Sequence, residues 1–284
     1  LFRSYLRQRR DEGSECNFTT LYIWRRAFQT AWMILGDHLV VQAGRGERYF
    51  LPPFGPDDER LDEVIQQLQA FCRVQGMTWV MRGTPDWLVC RLATRFPGKY
   101  RFRADRASYD YVYRAQDLIE LGGRKYQAKR NHLHKFEKEY PNHRYVPLTE
   151  EWIGACLDNE REWCSQRGCD QDENLRLEKE AITDALDHFL ELGVTGGVLI
   201  IRDKVEAFTF GEALHADTAL IHVEKANPNI AGCYPFINRE FCRQAWSTMT
   251  YINREEDLGL EGLRKAKLSY RPVKFVKKYT VTLA

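Results

Sequence analysis

Three consecutive β-rich runs in the C-terminal half, residues 194–201, 205–212 and 218–225, constrain this chain most. Only Arg202-Asp203-Lys204 separates the first two, too short for a crossover, so the three read as an antiparallel meander. Ahead of them Ile182, Ala185, Leu186, Phe189 and Leu190 recur at i, i+3, i+4, i+7 and i+8, the core stripe of a helix. Behind them the pattern predicts a helix over 234–246, a strand at 250–252, a helix over 260–268 and a terminal strand. That order is α+β, not strict βαβ alternation.

The first half has a similar element order. Ser14-Glu15-Cys16-Asn17 starts a helix predicted to run through Trp24 to Gln29. Strands at 32–35 and 38–43 are joined by Gly36-Asp37, a hairpin signal. After a proline-rich stretch, Leu61, Val64, Ile65, Leu68 and Phe71 mark a helix, then come a strand near Trp79, a helix after Pro85, and strands near Tyr100 and over 109–113. The second half opens with a basic helix over 118–140, stopped by Pro141, and a strand near Tyr145. A helix with Trp152, Cys156 and Trp163 on one face follows. No Gly/Ser/Pro-rich linker divides the chain; the similar element order of its halves instead suggests two modules, residues 1–115 and 116–284.

With 44% hydrophobic and 29% charged residues, the 284-residue chain has a globular composition and can bury a substantial core. Its longest apolar runs, such as Val198-Leu199-Ile200-Ile201, are too short to span a bilayer, and no signal-like segment opens it, so a cytoplasmic protein is expected. The eight cysteines form no CxxC pair and read as reduced structural thiols. No Cys/His spacing suits zinc, so no metal is expected. The net charge is only +2 but unevenly spread: Arg124, Lys125, Lys129, Arg130, Lys135, Lys138 and Arg144 cluster in one stretch. Arg264, Lys265, Lys267, Arg271, Lys274, Lys277 and Lys278 form a second, acid-free one. Two basic clusters bracketing one module suit a phosphate-bearing ligand.

Several ordered motifs carry a resemblance. They are Gly122-Gly123-Arg124-Lys125-Tyr126 with Lys129-Arg130-Asn131-His132, Glu224-Lys225-Ala226-Asn227-Pro228, and Ile237-Asn238-Arg239-Glu240-Phe241. The longest is Tyr251-Ile252-Asn253-Arg254-Glu255-Glu256-Asp257-Leu258-Gly259, continuing from Gly262 to Pro272. Together they resemble stand-alone bacterial proteins related to the C-terminal domain of phosphatidylglycerol lysyltransferases. The 17–24 and 110–113 segments fit as well. The resemblance implies two tandem GNAT-like modules, each a mixed, mostly antiparallel sheet flanked by helices, with the N-terminal one mainly architectural. It also implies aminoacyl transfer from aminoacyl-tRNA, the donor shared with the Fem transferases. The chain shows no transmembrane run like that of the lipid enzymes, which leaves a lipid head group or a small molecule open as acceptor.

Direct acyl transfer needs a base for the nucleophile and an acid for the leaving group. Glu224, on the same strand face as His222, is the first candidate base and Asp257 the second; Tyr270 or Tyr234 would donate the proton. Lys125, Lys129, Arg130, Arg264 and Lys267 would meet phosphates, with Lys267 also placed for a developing oxyanion. Asn131, Lys225, Asn227, Tyr234, Asn238 and Asn253 complete the expected binding set. A coenzyme A pyrophosphate loop would fall at 229–234, where only the first glycine position is met, at Gly232, and Tyr234 stands where a small residue is needed. No firm cofactor follows. The alternatives are an acyl-coenzyme A N-acyltransferase and a non-catalytic RNA- or metabolite-binding pair.

Overall fold

The computed structural model describes residues 1–284, apart from the side chain of Asp170. Two compact units emerge: Leu1–Asp110 with Glu256–Arg264 and Phe275–Ala284, and Tyr111–Glu255 with Lys265–Lys274.

The first unit contains α1 (Phe2–Leu6), α2 (Phe18–Ile23), β1 (Ala31–Leu35), β2 (His38–Ala43), β3 (Tyr49–Phe50), α3 (Glu59–Val74), β4 (Val80–Thr84), α4 (Asp86–Arg95) and β5 (Tyr100–Ala104). The last strand of the chain, β13 (Tyr279–Leu283), joins them in a sheet of order β1-β2-β3-β4-β13-β5. Only β3 and β4 pair parallel. β2 alternates Leu39 and Val41 on one face with Val40 on the other, and all three are buried. Val40 packs in a core with Leu61, Val64, Ile65 and Leu68 of α3 and Leu88 and Leu92 of α4. Leu39 and Val41 pack with Leu21, Leu51 and Phe54. Phe71 is exposed, and Cys72 takes the next inward position of α3.

β13 comes last in the chain, yet it lies between β4 and β5. Lys278, read from the sequence as part of a basic tail, is buried just ahead of it. Its Nζ lies 2.7 Å from Asp110 Oδ1, 2.6 Å from Glu15 Oε2 and 2.9 Å from Ser14 Oγ. Burial alone would lower its pKa, but Asp110, Glu15 and Glu256 raise it well above the ordinary lysine value.

The second sheet contains β6 (Asp110–Arg114), β7 (Arg144–Pro147), β8 (Thr195–Ile201), β9 (Lys204–His215), β10 (Thr218–Ala226), β11 (Tyr251–Asn253) and β12 (Lys274–Val276), in the order β12-β6-β11-β10-β9-β8-β7. The predicted meander is β8-β9-β10, antiparallel throughout. Its helices are α5 (Ala115–Glu120), α6 (Gln127–Glu139), α7 (Glu150–Arg167), α8 (Glu173–Asp187), α9 (Phe189–Leu192) and α10 (Cys233–Ala245), with α11 (Glu261–Leu268) near the end of the chain.

Three local expectations change. The helix predicted to reach Gln29 ends at Ile23, although Asn17 caps it as the sequence suggests, accepting from Thr20 N at 2.8 Å. The single basic helix is two, because Leu121 is left-handed at φ +49° and Gly122-Gly123 follow. The thiols expected to be reduced include one disulfide, Cys164–Cys169. Gly168, left-handed at φ +71°, ends α7 and turns the chain back, bringing the two Cα atoms to 5.2 Å. No helix among the described residues is long and apolar enough to cross a membrane.

Candidate active site

β10 carries the site because it loses one neighbour part-way along. It pairs with β9 along its length, with a register shift between Ile221 and Val223. Against β11 the parallel ladder holds at three positions only: Thr218↔Tyr251, Ala219↔Ile252 and Leu220↔Asn253. Beyond Leu220 the strands part. Asn253 Oδ1 accepts from Glu255 N at 2.8 Å and holds Glu255 at φ +56°, a conformation that turns the chain out of the sheet.

Glu224 and Arg254 meet across this opening. Arg254 Nη2 donates to Glu224 Oε1 at 2.9 Å, and Asn238 Nδ2, from α10, donates to Oε2 at 2.8 Å. A carboxylate only accepts, so the Asn238 amide must present its nitrogen, leaving Oδ1 for another partner. Asn238 Oδ1 and Arg254 Nη1 are buried and, among the described residues, have no hydrogen-bond partner. Buried polar atoms are almost always paired, so two orphans in one cluster suit a site that a ligand completes.

Lys129 of α6 closes the cluster, its Nζ 3.9 Å from the centre of the Tyr270 ring. The Arg254 guanidinium lies 4.9 Å from that ring and 5.7 Å from that of Tyr113. The two rings meet edge-to-face at 6.4 Å. The Tyr113 hydroxyl and the Tyr270 backbone are tied down: Tyr113 OH donates to Lys267 O at 2.8 Å, and Tyr126 OH to Tyr270 O at 2.9 Å. Burial pushes Lys129 down to about 8; the Arg254 charge adds to this and Glu224 opposes it. Such a lysine exchanges its proton near neutral pH, where an ordinary one stays charged. Burial raises the Tyr270 and Tyr113 hydroxyls, against the pull of Arg254, so both remain phenols. For Arg254 itself burial works against the charge, but Glu224 and the tyrosines outweigh it.

Of the residues singled out in the sequence, Glu224, Tyr270, Lys129 and Asn238 come together here. Asp257 does not join them. Its carboxylate takes two bonds from Arg264, at 2.8 and 2.9 Å, and one from Gly259 N at 2.9 Å, so both members of this pair anchor a turn. Lys267, expected at a phosphate or oxyanion, donates its Nζ to Arg254 O and, at 3.1 Å, to Glu255 O. It braces the backbone beneath the site. Asn253 is spent on Glu255. Arg130 bonds Leu121 O and, at 2.7 Å, Gly123 O, holding the break between α5 and α6. Lys125 pairs with Asp117 at 3.3 Å and Asn131 accepts from Gln127 at 2.9 Å.

Lys225 points the other way from Glu224. Its Nζ lies 3.4 Å from the Trp163 ring centre and 3.0 Å from Glu178 Oε2. Tyr234 accepts from Trp163 Nε1 at 3.1 Å on the same side, and Asn227 donates to Glu206 at 2.8 Å. Arg254 and Tyr113 were missed as site residues. Both lie inside segments that carry the resemblance, but nothing local distinguishes them from their neighbours. A cavity of about 320 Å³ uses Phe236, Glu240, Arg243 and Gln244 of α10 and includes none of the cluster.

The two units, each a mixed sheet flanked by helices, are the tandem GNAT-like arrangement. The chain belongs to the family described as phosphatidylglycerol lysyltransferase, C-terminal, whose profile matches residues 6–282. A conserved protein of unknown function from Bacteroides thetaiotaomicron is 38% identical, with a TM-score of 0.91 over 100% of this chain and 95% of that one. The C-terminal domain of a putative lysylphosphatidylglycerol synthetase from Agrobacterium fabrum shares the fold. It has 14% identity and a TM-score of 0.67 over 99% of this chain and 92% of that one. An uncharacterized protein of Mycoplasmoides gallisepticum is 22% identical over 188 residues, 62% of this chain. That match spans 56%, little more than half, of the Mycoplasmoides protein.

Proposed function

We propose that this protein is a cytoplasmic aminoacyltransferase, moving an aminoacyl group from aminoacyl-tRNA to an amine or hydroxyl acceptor. Family membership supports transfer chemistry of the aminoacyl or acyl type. The observation that carries the finer reading is Lys129, held at about 8 beside Arg254 and Tyr270 where β10 and β11 part. As a free amine, Lys129 takes the proton of the attacking amine or hydroxyl. Arg254 Nη1, without a hydrogen-bond partner among the described residues, serves the oxyanion that forms on the acyl carbon. The Tyr270 phenol hydrogen-bonds the departing ribose oxygen, which leaves as a hydroxyl when the Lys129 ammonium returns the proton it took. Glu224, first considered as the base, has a donor on each oxygen and instead holds the guanidinium in place.

Coenzyme A as donor fits less well. Of the four N–H groups a helix start normally leaves free, that of Cys233 bonds Ile230 O at 3.1 Å, and Pro235 has no N–H to offer. Gly232 is pressed against α6: a Cβ there would stand 2.7 Å from His132 O and 2.8 Å from Phe136 Cβ. The end of α10 that would hold a pyrophosphate is therefore closely covered.

The test is a transfer assay with a labelled aminoacyl-tRNA pool and, in parallel, acetyl-coenzyme A, each against a panel of amines and hydroxyl compounds. Label should pass from tRNA to an acceptor, with a rate that rises through pH 8 as Lys129 loses its proton. Lys129→Met should lower the rate on the order of 100-fold while charged tRNA still binds. Transfer from coenzyme A alone would overturn the donor. Binding of tRNA with no transfer to any acceptor would favour a binding protein.

A further inference from the structure

Exposed sheet edges invite pairing, and proteins usually blunt them with charge or proline. Three of the four edge strands here follow that rule: β5 carries Arg101 and Arg103, β7 carries Arg144 and Pro147, and β12 carries Lys274. The fourth does not. β1 reads Ala31-Trp32-Met33-Ile34-Leu35, with neither charge nor proline, and its first three residues are exposed. Trp32 and Met33 are 51% and 49% exposed. Phe2 packs edge-on against Trp32 at 5.1 Å, and Leu1 and Phe28 add exposed apolar surface at neighbouring positions of the chain.

The two ends of β1 differ in charge. At its N-terminal end Arg48 Nη1 donates to Gln29 O at 2.9 Å. At its C-terminal end the hairpin carries Asp37, which pairs with Arg60 and, being 57% exposed, has lone pairs open to a further donor.

We infer that β1 is the contact strand of a homodimer, in which two copies pair antiparallel through β1 about a twofold axis. Centred on Met33, that pairing sets Met33 against the partner's Met33, Trp32 against the partner's Ile34 and Ala31 against the partner's Leu35. An aromatic facing a β-branched residue is a favourable cross-strand pair. In the same register Gln29, with Arg48 on its carbonyl, stands opposite the partner's Asp37, so at both ends a guanidinium meets an exposed carboxylate that Arg60 only partly engages. Parallel pairing would instead set like beside like. The strand fits a second copy of itself because its centre is neutral and its ends are complementary.

Analytical ultracentrifugation of the full chain across the micromolar range should show a species of twice 33.4 kDa that dissociates on dilution. Met33→Lys places two ammonium groups opposite each other and should raise the dimer dissociation constant on the order of 100-fold. Met33→Leu should leave the constant nearly unchanged, and circular dichroism would verify that both variants fold. For the register, Met33→Cys in a Cys90→Ser background should cross-link to its own copy on mild oxidation, and Leu35→Cys should not. A monomer throughout the range, or a dimer indifferent to Met33→Lys, overturns the inference. So does cross-linking through position 35 in preference to 33.

Discussion

Lys278 in the first unit and Arg254 in the second are both buried cations facing carboxylates, and they differ in what is left over. Lys278 donates to Asp110 and Ser14 and contacts Glu15, and Asp110 also accepts from Ser14 N at 2.7 Å. Its partners are so arranged that little bonding capacity remains. Among the described residues Arg254 has one nitrogen on Glu224 and another, Nη1, with no hydrogen-bond partner, and Asn238 Oδ1 is equally unpaired. A closed polar cluster ties distant parts of a chain together; an open one keeps capacity for a group that arrives from outside. Buried charge by itself therefore marks neither stability nor chemistry.

The largest expected effect breaks the closed cluster. Lys278→Met leaves Asp110 and Glu15 buried without their cation, a loss of about 3–5 kcal/mol in unfolding free energy measured by urea titration. The transfer rate per folded molecule should stay the same. If stability barely moved, or the rate fell with it, the contrast between the two clusters would not hold.

His222 provides an intermediate case. It sits with Nε2 3.0 Å from Glu212 Oε1 and Nδ1 3.2 Å from Glu255 Oε1, its side chain wholly buried. Burial alone would lower its pKa; the two carboxylates outweigh that and raise it from 6.5 to about 9. A base whose folded pKa is raised contributes stability in full below its unfolded value and loses it as pH rises through the folded one. The contribution here is on the order of 3 kcal/mol, present below pH 6.5 and lost by pH 9. Unfolding free energies measured across that window should fall for the wild type and much less for His222→Asn. Equal slopes would remove His222 from the list of structural cations.

The smallest effect concerns Glu160, whose two oxygens are buried and, among the described residues, without hydrogen-bond partners, Lys225 lying 3.8 Å away. Burial raises its pKa to about 7, with Lys225 opposing. An acid raised in this way lowers stability as pH climbs from its ordinary 4.5 through 7. Glu160→Gln should stabilise the protein by about 1 kcal/mol at pH 8 and not at pH 5, read from urea midpoints at both values. A loss at pH 8 would mean that this carboxylate belongs with the closed clusters after all.

Much of the fold was readable before any coordinates. Hairpin and meander follow from short turns between strand-forming runs, and the Leu61, Val64, Ile65 and Leu68 stripe is the face that α3 buries. The periodic pattern also ran on too long: Phe71 and Leu190 fit their stripes yet are exposed. The candidate site was legible only in part. Glu224, Lys129, Asn238 and Tyr270 come from four separate elements or loops, and each was recognisable as a polar or aromatic residue within a motif. Arg254 was passed over in favour of Asn253 beside it, although Arg254 faces the opening and Asn253 braces a turn. Lys267 and Asp257 looked equally chemical and proved to be engaged by backbone and by Arg264.

The sequence by itself determined the α+β class, the order of the elements and the family, because periodicity, turn residues and motif order are properties of neighbouring positions. Tertiary structure alone decided that β13 returns to the first sheet, that the β10–β11 ladder ends at Leu220, and which lysine is lowered and which is raised. The physical reason is the same in each case. Strand partners, desolvation and the charge across a gap depend on residues thirty or more positions away in the chain, and local pattern carries no information about them.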